Sequence, residues 1–186
     1  MALLFLAGGI CLSLTLGPSS SGAPASHTGA PGESTCAKSG CHDDKAINTG
    51  TAKVKIDPGT TGPYAPGKTY TLSVSITDAG SKRFGFQLTA LDSLNAKAGK
   101  IKISDAESTQ MLHNTFMLQD REYATYTFGG TGADSPGKKT WKLQWKAPAS
   151  GTGPVTLYAA FVSANDDETD KGDHVYLHSI KLEELK

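Results

Sequence analysis

From residue 52 onward the chain alternates apolar and polar positions in short runs. In "AKVKI" (52–56) the lysines fall on one side and Val54 and Ile56 on the other, and the run stops at Asp57-Pro58-Gly59. After a Pro-Gly turn at 66–67, Tyr70, Leu72, Val74 and Ile76 share a face. "RFGFQLTAL" groups Phe84, Phe86, Leu88 and Ala90, and "KTWKLQW" groups Trp141, Leu143 and Trp145. "GKIKI" (99–103), "EYATYTF" (122–128), "PVTLYAAFVSA" and "HVYLHSIKLEEL" complete the series. A period of two belongs to a strand with one buried face. Eight such runs, separated by Gly, Pro, Asn and Asp, predict an all-β fold: an antiparallel, immunoglobulin-like sandwich of about eight strands.

One stretch breaks the period. "DAESTQMLHNTFMLQD" (105–120) has no strand alternation and sets His113 among Met111, Leu112, Phe116 and Met117. It reads as a long, partly apolar connection, and long connections in small domains tend to carry function.

The start of the chain has another texture. "ALLFLAGGICLSLTLG" (2–17) is an uncharged apolar run of the length of a signal-peptide core, and Ala23-Pro24-Ala25 supplies an A-x-A cleavage pattern. No Lys or Arg precedes the run, and Cys11 lies inside it with Gly8 where a lipoprotein signal places leucine. The run is too short and too interrupted by glycine for a comfortable membrane span. These features divide the 186 residues into a leader (1–25), an arm rich in Pro, Gly, Ser and Ala (26–50) and a sandwich domain (51–186). The arm is expected to be extended or loosely ordered, and its repeated Gly-Ala-Pro (22–24 and 29–31) to dock along a sheet edge or serve as a spacer. The mature chain carries no membrane span, and the compartment is extracytoplasmic: extracellular, cell-surface or periplasmic.

Eighteen basic residues balance eighteen acidic ones, which leaves no electrostatic footprint for nucleic acid. No nucleophile elbow and no phosphate-binding loop is present, so nothing points to a hydrolase or a nucleotide enzyme. The acids of "NDDETDKGD" (165–173) lack the spacing of a calcium loop and read as a solvated acidic hairpin.

The chemistry concentrates in "TGAPGESTCAKSGCH", where Cys36 and Cys41 flank four residues and His42 follows directly. Covalent haem attachment uses C-x-x-C-H, two residues shorter. Two thiols that add to the vinyl groups of haem, with the next histidine beneath the iron, account for the residue types. A Cys36–Cys41 disulfide with His42 as a surface residue accounts for them equally, since export permits oxidation. A structural zinc site fits less well, because Cys41 and His42 are consecutive and no second ligand pair completes a tetrahedron.

Together with "YAPGKTYTL", "FGFQLTALD", "WKLQWKAPASGTGPVTLYAAF" and "GDHVYLHSIKL", this segment resembles reeler-like β-sandwich domains, and among them the bacterial choice-of-anchor V group. The resemblance runs from about residue 22 to residue 183, with its pieces in order. It implies a reeler-like sandwich with an N-terminal haem-binding arm: one haem c, bound covalently through Cys36 and Cys41, with His42 on the proximal side of the iron. A mid-domain histidine that recurs in the group, matched by His113, is the expected distal ligand. The spacing here, C-x4-C-H, departs from C-x2-C-H. The resemblance also places "GD-x-x-Y" as a structural element.

Other residues compete for the distal position. His174 and His178 lie four apart on the last strand, about 13 Å at the strand rise, so they cannot share one iron. His27 lies nine residues before Cys36, and Met111 and Met117 flank His113. The expected function is electron transfer by an exported monohaem cytochrome rather than catalysis, which requires a redox partner protein or copies of the chain itself, as in a haem-bearing polymer. The alternative is an extracellular adhesion or matrix module with a Cys36–Cys41 disulfide and no haem. A haem sensor or peroxidase-like enzyme would require that no residue, His113 included, fill the second face of the iron.

Overall fold

The computed structural model describes residues 21–113, 118 and 120–186. The leader run, Cys11 and Met117 therefore lie outside the described residues. Among the described residues nine strands form two antiparallel sheets: β1 (Lys53–Asp57), β2 (Thr69–Thr77), β3 (Arg83–Asp92), β4 (Lys100–Ile103), β5 (Thr109–His113), β6 (Glu122–Tyr126), β7 (Lys138–Lys146), β8 (Val155–Ala164) and β9 (His174–Leu182). One sheet runs β1-β2-β7-β4 and the other β5-β6-β3-β8-β9. Among the described residues no α-helix occurs, and no helix is long and apolar enough to cross a membrane.

The alternation read from the sequence is the alternation of burial. Register pairs Tyr70 with Trp145, Leu72 with Leu143 and Val74 with Trp141, so one face of β2 and β7 is a continuous apolar strip. It meets Phe84, Phe86 and Leu88 of β3 and Leu157, Ala159 and Phe161 of β8 across the sandwich. Both indoles are fully buried and donate, Trp141 Nε1 to the Gly130 carbonyl at 2.8 Å and Trp145 Nε1 to that of Ala98 at 3.1 Å. Burial therefore leaves neither N–H unpaired.

Two expectations need correction. The 105–120 segment contains a strand: β5 pairs with β6 from Thr109↔Tyr126 to His113↔Glu122. β5 is an edge strand, half-buried along its middle, so its side chains never had to alternate.

The arm is the second. It is ordered: it covers the outer face of the five-stranded sheet and reaches the free edge of β9 through Asn48. Gln87 of β3 donates from Nε2 to the Pro24 carbonyl (2.8 Å) and accepts from the His27 N–H (2.7 Å). Ser26 and Glu33 bond the Tyr123 hydroxyl at 2.8 and 3.0 Å. Farther along, the Asn48 N–H donates to the Val175 carbonyl and Asn48 Oδ1 accepts the Leu177 N–H, each at 2.9 Å. This cover explains why β3 is buried at eight consecutive positions although Gln87 and Thr89 look like a solvent face. Residues 21–25, assigned to the leader by the cleavage pattern, already contribute: the Ser21 and Pro24 carbonyls accept from Gln110 and Gln87.

Candidate functional site

Cys36 and Cys41 sit on a tight loop of the arm. Two successive turns, Lys38 N–H to Thr35 O (3.1 Å) and Cys41 N–H to Lys38 O (2.9 Å), push Lys38, Ser39 and Gly40 into solvent. Gly40 takes a left-handed φ of 82°, which favours glycine, and its N–H bonds the Asp43 carboxylate at 2.9 Å. That bond holds the Asp43 carboxyl below its usual range. The His42 N–H returns to the Cys36 carbonyl at 3.1 Å. The two residues that lengthen the C-x-x-C spacing are thus taken up in an exposed turn, and the ends of the motif stay joined.

Both cysteines are free thiols. Cys36 is buried against Ala160, Val162 and Val175, on the outer side of β8 and β9. Its Sγ lies 3.8 Å from the His27 carbonyl. Burial, reinforced by the neighbouring Cys41, pushes the Cys36 thiol from 9.0 up to about 12. Cys41 is half-exposed.

The His42 side chain reaches the hairpin between β8 and β9. Its Nδ1 lies 2.7 Å from Asp173 Oδ2, and the Asp173 side chain is only 2 % exposed. The other oxygen, Oδ1, accepts the Asn165 N–H at 3.3 Å. A carboxylate only accepts, so Nδ1 donates and the lone pair of a neutral ring resides on Nε2.

His42 and Asp173 form part of the wall of a cavity of about 380 Å³ at the end of the five-stranded sheet. Phe84, Tyr126 and Phe128 supply its aromatic surface, with Val162 beside them. Val162 also lies under Cys36, so thiol and cavity share a wall. A Cβ at residue 85 would stand 2.6 Å from the Tyr126 ring, which is why glycine occupies that position. Burial pushes the Tyr126 hydroxyl up, with Cys36 adding to the effect. Phe128 is 59 % exposed and carries the Arg83 guanidinium over its ring at 5.3 Å. Arg83 also pairs with Asp166 and donates from Nη1 to Thr131 Oγ1 at 3.0 Å.

Cys36, Cys41 and His42 are brought together; the distal candidates are scattered. His113 is exposed at the end of β5, four residues from Thr109, the partner of Tyr126. That is about 13 Å along the strand from the cavity end, and His113 is not part of the cavity wall. His27 touches the cysteine loop through its carbonyl, while its Nδ1 lies 3.0 and 2.9 Å from the Pro24 and Ala25 carbonyls. His174 Nδ1 is buried without a hydrogen-bond partner among the described residues, and His178 is exposed on β9. Met111 is half-buried against the core. Among the described residues no group of three or more His, Cys, Asp or Glu could hold a metal ion by itself.

Asp173, Arg83 and Phe128 are cavity residues that the sequence reading misses. Asp173 had been counted with a solvated acidic hairpin; Asp166, Asp167 and Glu168 are indeed exposed, but Asp173 is 1 % exposed. The signal was present in "GDHVY", where Asp173 directly precedes the last strand.

No family model matches the chain, and no curated protein does. Solved structures do match. The human F-spondin reeler domain superposes with a TM-score of 0.51 at 23 % identity, covering 75 % of this chain and 93 % of that one. A second structure, the Reelin-N domain of F-spondin, gives 0.49 at 24 % identity, covering 76 % and 91 %. A cohesin module from Clostridium perfringens gives 0.44 at 10 % identity, covering 71 % and 93 %.

Proposed function

We propose that, on its reeler-like β-sandwich, the chain works as an exported monohaem c-type cytochrome that carries electrons outside the cytoplasm to a redox partner protein or to copies of itself. The observation that carries this reading is His42: it follows the second of two cysteines on one closed loop, lines an aromatic cavity, and has its Nδ1 engaged by a buried carboxylate. Histidines that bind metal through one ring nitrogen characteristically give the other to such a partner.

The donor set of two thiols and an adjacent imidazole fits the group, with Cys36 lying behind Val162 of the cavity wall. Cys36 and Cys41 would hold haem c through thioether bonds, and His42 would ligate through Nε2; the bound haem supplies a one-electron iron centre. Phe84, Tyr126 and Val162 would give it an apolar inner wall. The ring of Phe128, exposed at the cavity, offers a partner an apolar point of approach beside the Arg83 cation. The distal ligand proposed from the sequence, His113, would have to be reached from the far end of β6; His27 is the candidate that already touches the cysteine loop.

The test is expression with c-type maturation machinery, followed by reduced and oxidised visible spectra of the denatured chain. Covalent haem bands that survive acid-acetone extraction and vanish in Cys36→Ala/Cys41→Ala are expected. A colourless protein with a Cys36–Cys41 disulfide, from a host that matures a control cytochrome, would overturn the reading and leave an adhesion or matrix module.

A further inference from the structure

The contact between His42 and Asp173 is built by the segments on either side of it. Three consecutive residues of the arm meet three of the β8–β9 hairpin: His42 with Asp173 at 2.7 Å, Asp44 Oδ2 with the Gly172 N–H at 2.9 Å, and Asp43 with Lys171 Nζ at 3.5 Å. Gly172 has a φ of 79°, and a Cβ there would stand 3.0 Å from Asn165 Nδ2 of the same hairpin, so the turn that presents the Gly172 N–H to Asp44 favours glycine. Asp173 is 1 % exposed, while the other acids of its hairpin that line the cavity, Asp166 and Glu168, are exposed. One carboxylate of this loop has been placed in the protein interior, and the partner of its Oδ2 is an imidazole nitrogen.

Resting on the cytochrome reading, we infer that Asp173 is the positioning residue of His42: it fixes the ring as the Nδ1–H tautomer, presents the Nε2 lone pair as the ligating atom, and makes that nitrogen a stronger donor. Partial transfer of the Nδ1 proton's bonding toward the carboxylate raises electron density on the ring, as second-shell carboxylates do behind metal-bound histidines. A stronger nitrogen donor favours ferric over ferrous iron, so Asp173 holds the reduction potential down. Asp173 would act on bound haem only through its contact with His42.

Two measurements separate this role from that of a staple. In the haem-free full chain, nitrogen NMR of His42 is expected to show the Nδ1–H tautomer; an Nε2–H ring would overturn the inference whether or not haem binds. In the haem-loaded chain, Asp173→Asn is expected to move the midpoint potential positive at fixed pH, by clearly more than Glu168→Gln, which removes a carboxylate from the same cavity without touching His42. Asp173→Glu should return the potential toward that of the wild type. Equal shifts in the Asn and Gln variants would reduce Asp173 to one more nearby charge and overturn the inference. If Asp173→Asn does not fold, the tautomer of the wild-type ring still decides. Absence of covalent haem in the wild type would sink the cytochrome reading separately, with the tautomer result standing on its own.

Discussion

At the scale of single residues, Cys36 and Cys41 share a loop but not an environment. The Cys36 thiol is shifted from 9.0 to about 12, which at pH 8 lowers its thiolate fraction about a thousandfold. In the haem-free chain, iodoacetamide at pH 8 should therefore alkylate Cys41 and spare Cys36 until the protein is unfolded; equal labelling of both in the native state would contradict the burial. The same shift has a thermodynamic consequence. Between pH 9 and 12 the native state keeps a proton on Cys36 that the unfolded chain has lost. Its contribution is complete below the unfolded value and is lost as pH rises toward the folded one, by up to about 1.4 kcal/mol per pH unit. Tyr123, pushed from 10.0 to about 12 mainly by burial, adds to the loss above pH 10. Urea midpoints between pH 7 and 11 should fall more steeply above pH 9 for the wild type than for Cys36→Ala. Parallel curves would show that the thiol titrates as it does in the unfolded chain.

At the scale of elements, the arm is held by a buried network at the start of β6. Arg121 Nη1 lies 2.7 Å from Glu33 Oε1, with side-chain exposures of 6 % and 0 %. Glu33 also accepts from Tyr123 Oη (3.0 Å), the Thr28 N–H (3.2 Å) and Thr28 Oγ1 (2.5 Å), while Arg121 donates to the Pro31 and Asn95 carbonyls at 3.0 Å each. With every partner satisfied, removing one charge leaves the other buried and alone, a loss of about 3–5 kcal/mol. Arg121→Ala should lower stability by that order, and hydrogen exchange at residues 26–35 should rise more than in β2 or β7. Replacing both residues with apolar ones of similar size should restore much of the loss; if the double variant is as unstable as the single one, the ion pair is not what holds the arm. None of this was legible in the sequence. "STCAKSGCH" is preceded by a Gly-Ala-Pro segment without periodicity, and a single Glu there carries no mark of burial. The strands were legible because one face of each meets a large apolar core. β5 was not, since an edge strand half-buried along its middle is free of that constraint. Asp173 was hidden among the exposed acids of its own hairpin.

At the scale of the whole molecule, the arm acts as a third layer. The outer face of the five-stranded sheet carries Gln87, Thr89 and Thr125, each fully buried, beside Ala160, Val162 and Val175. Thr89 and Thr125 bond the Glu122 and Phe86 carbonyls, so they need no cover to be satisfied. Gln87 differs: the arm provides a partner for both ends of its amide. The apolar residues lose contact with Cys36, Ala37 and Ile47 if the arm leaves. Burial of large apolar side chains contributes about 1.5–3 kcal/mol each, and the clasp at Arg121 adds to that. A chain beginning at residue 51 should therefore keep the two-sheet architecture, whose core lies between the sheets, but melt well below the chain that retains residues 21–50. It should also self-associate at high concentration, because β8 and β9 would show Val162 and Val175 to solvent. Sedimentation and thermal melts of the two chains at matched concentration decide the matter. A monomer of unchanged Tm would mean that the arm merely rests on the sheet. The loop that carries Cys36, Cys41 and His42 would then be placed by its own turns and by Asp173, not by the layer to which it belongs.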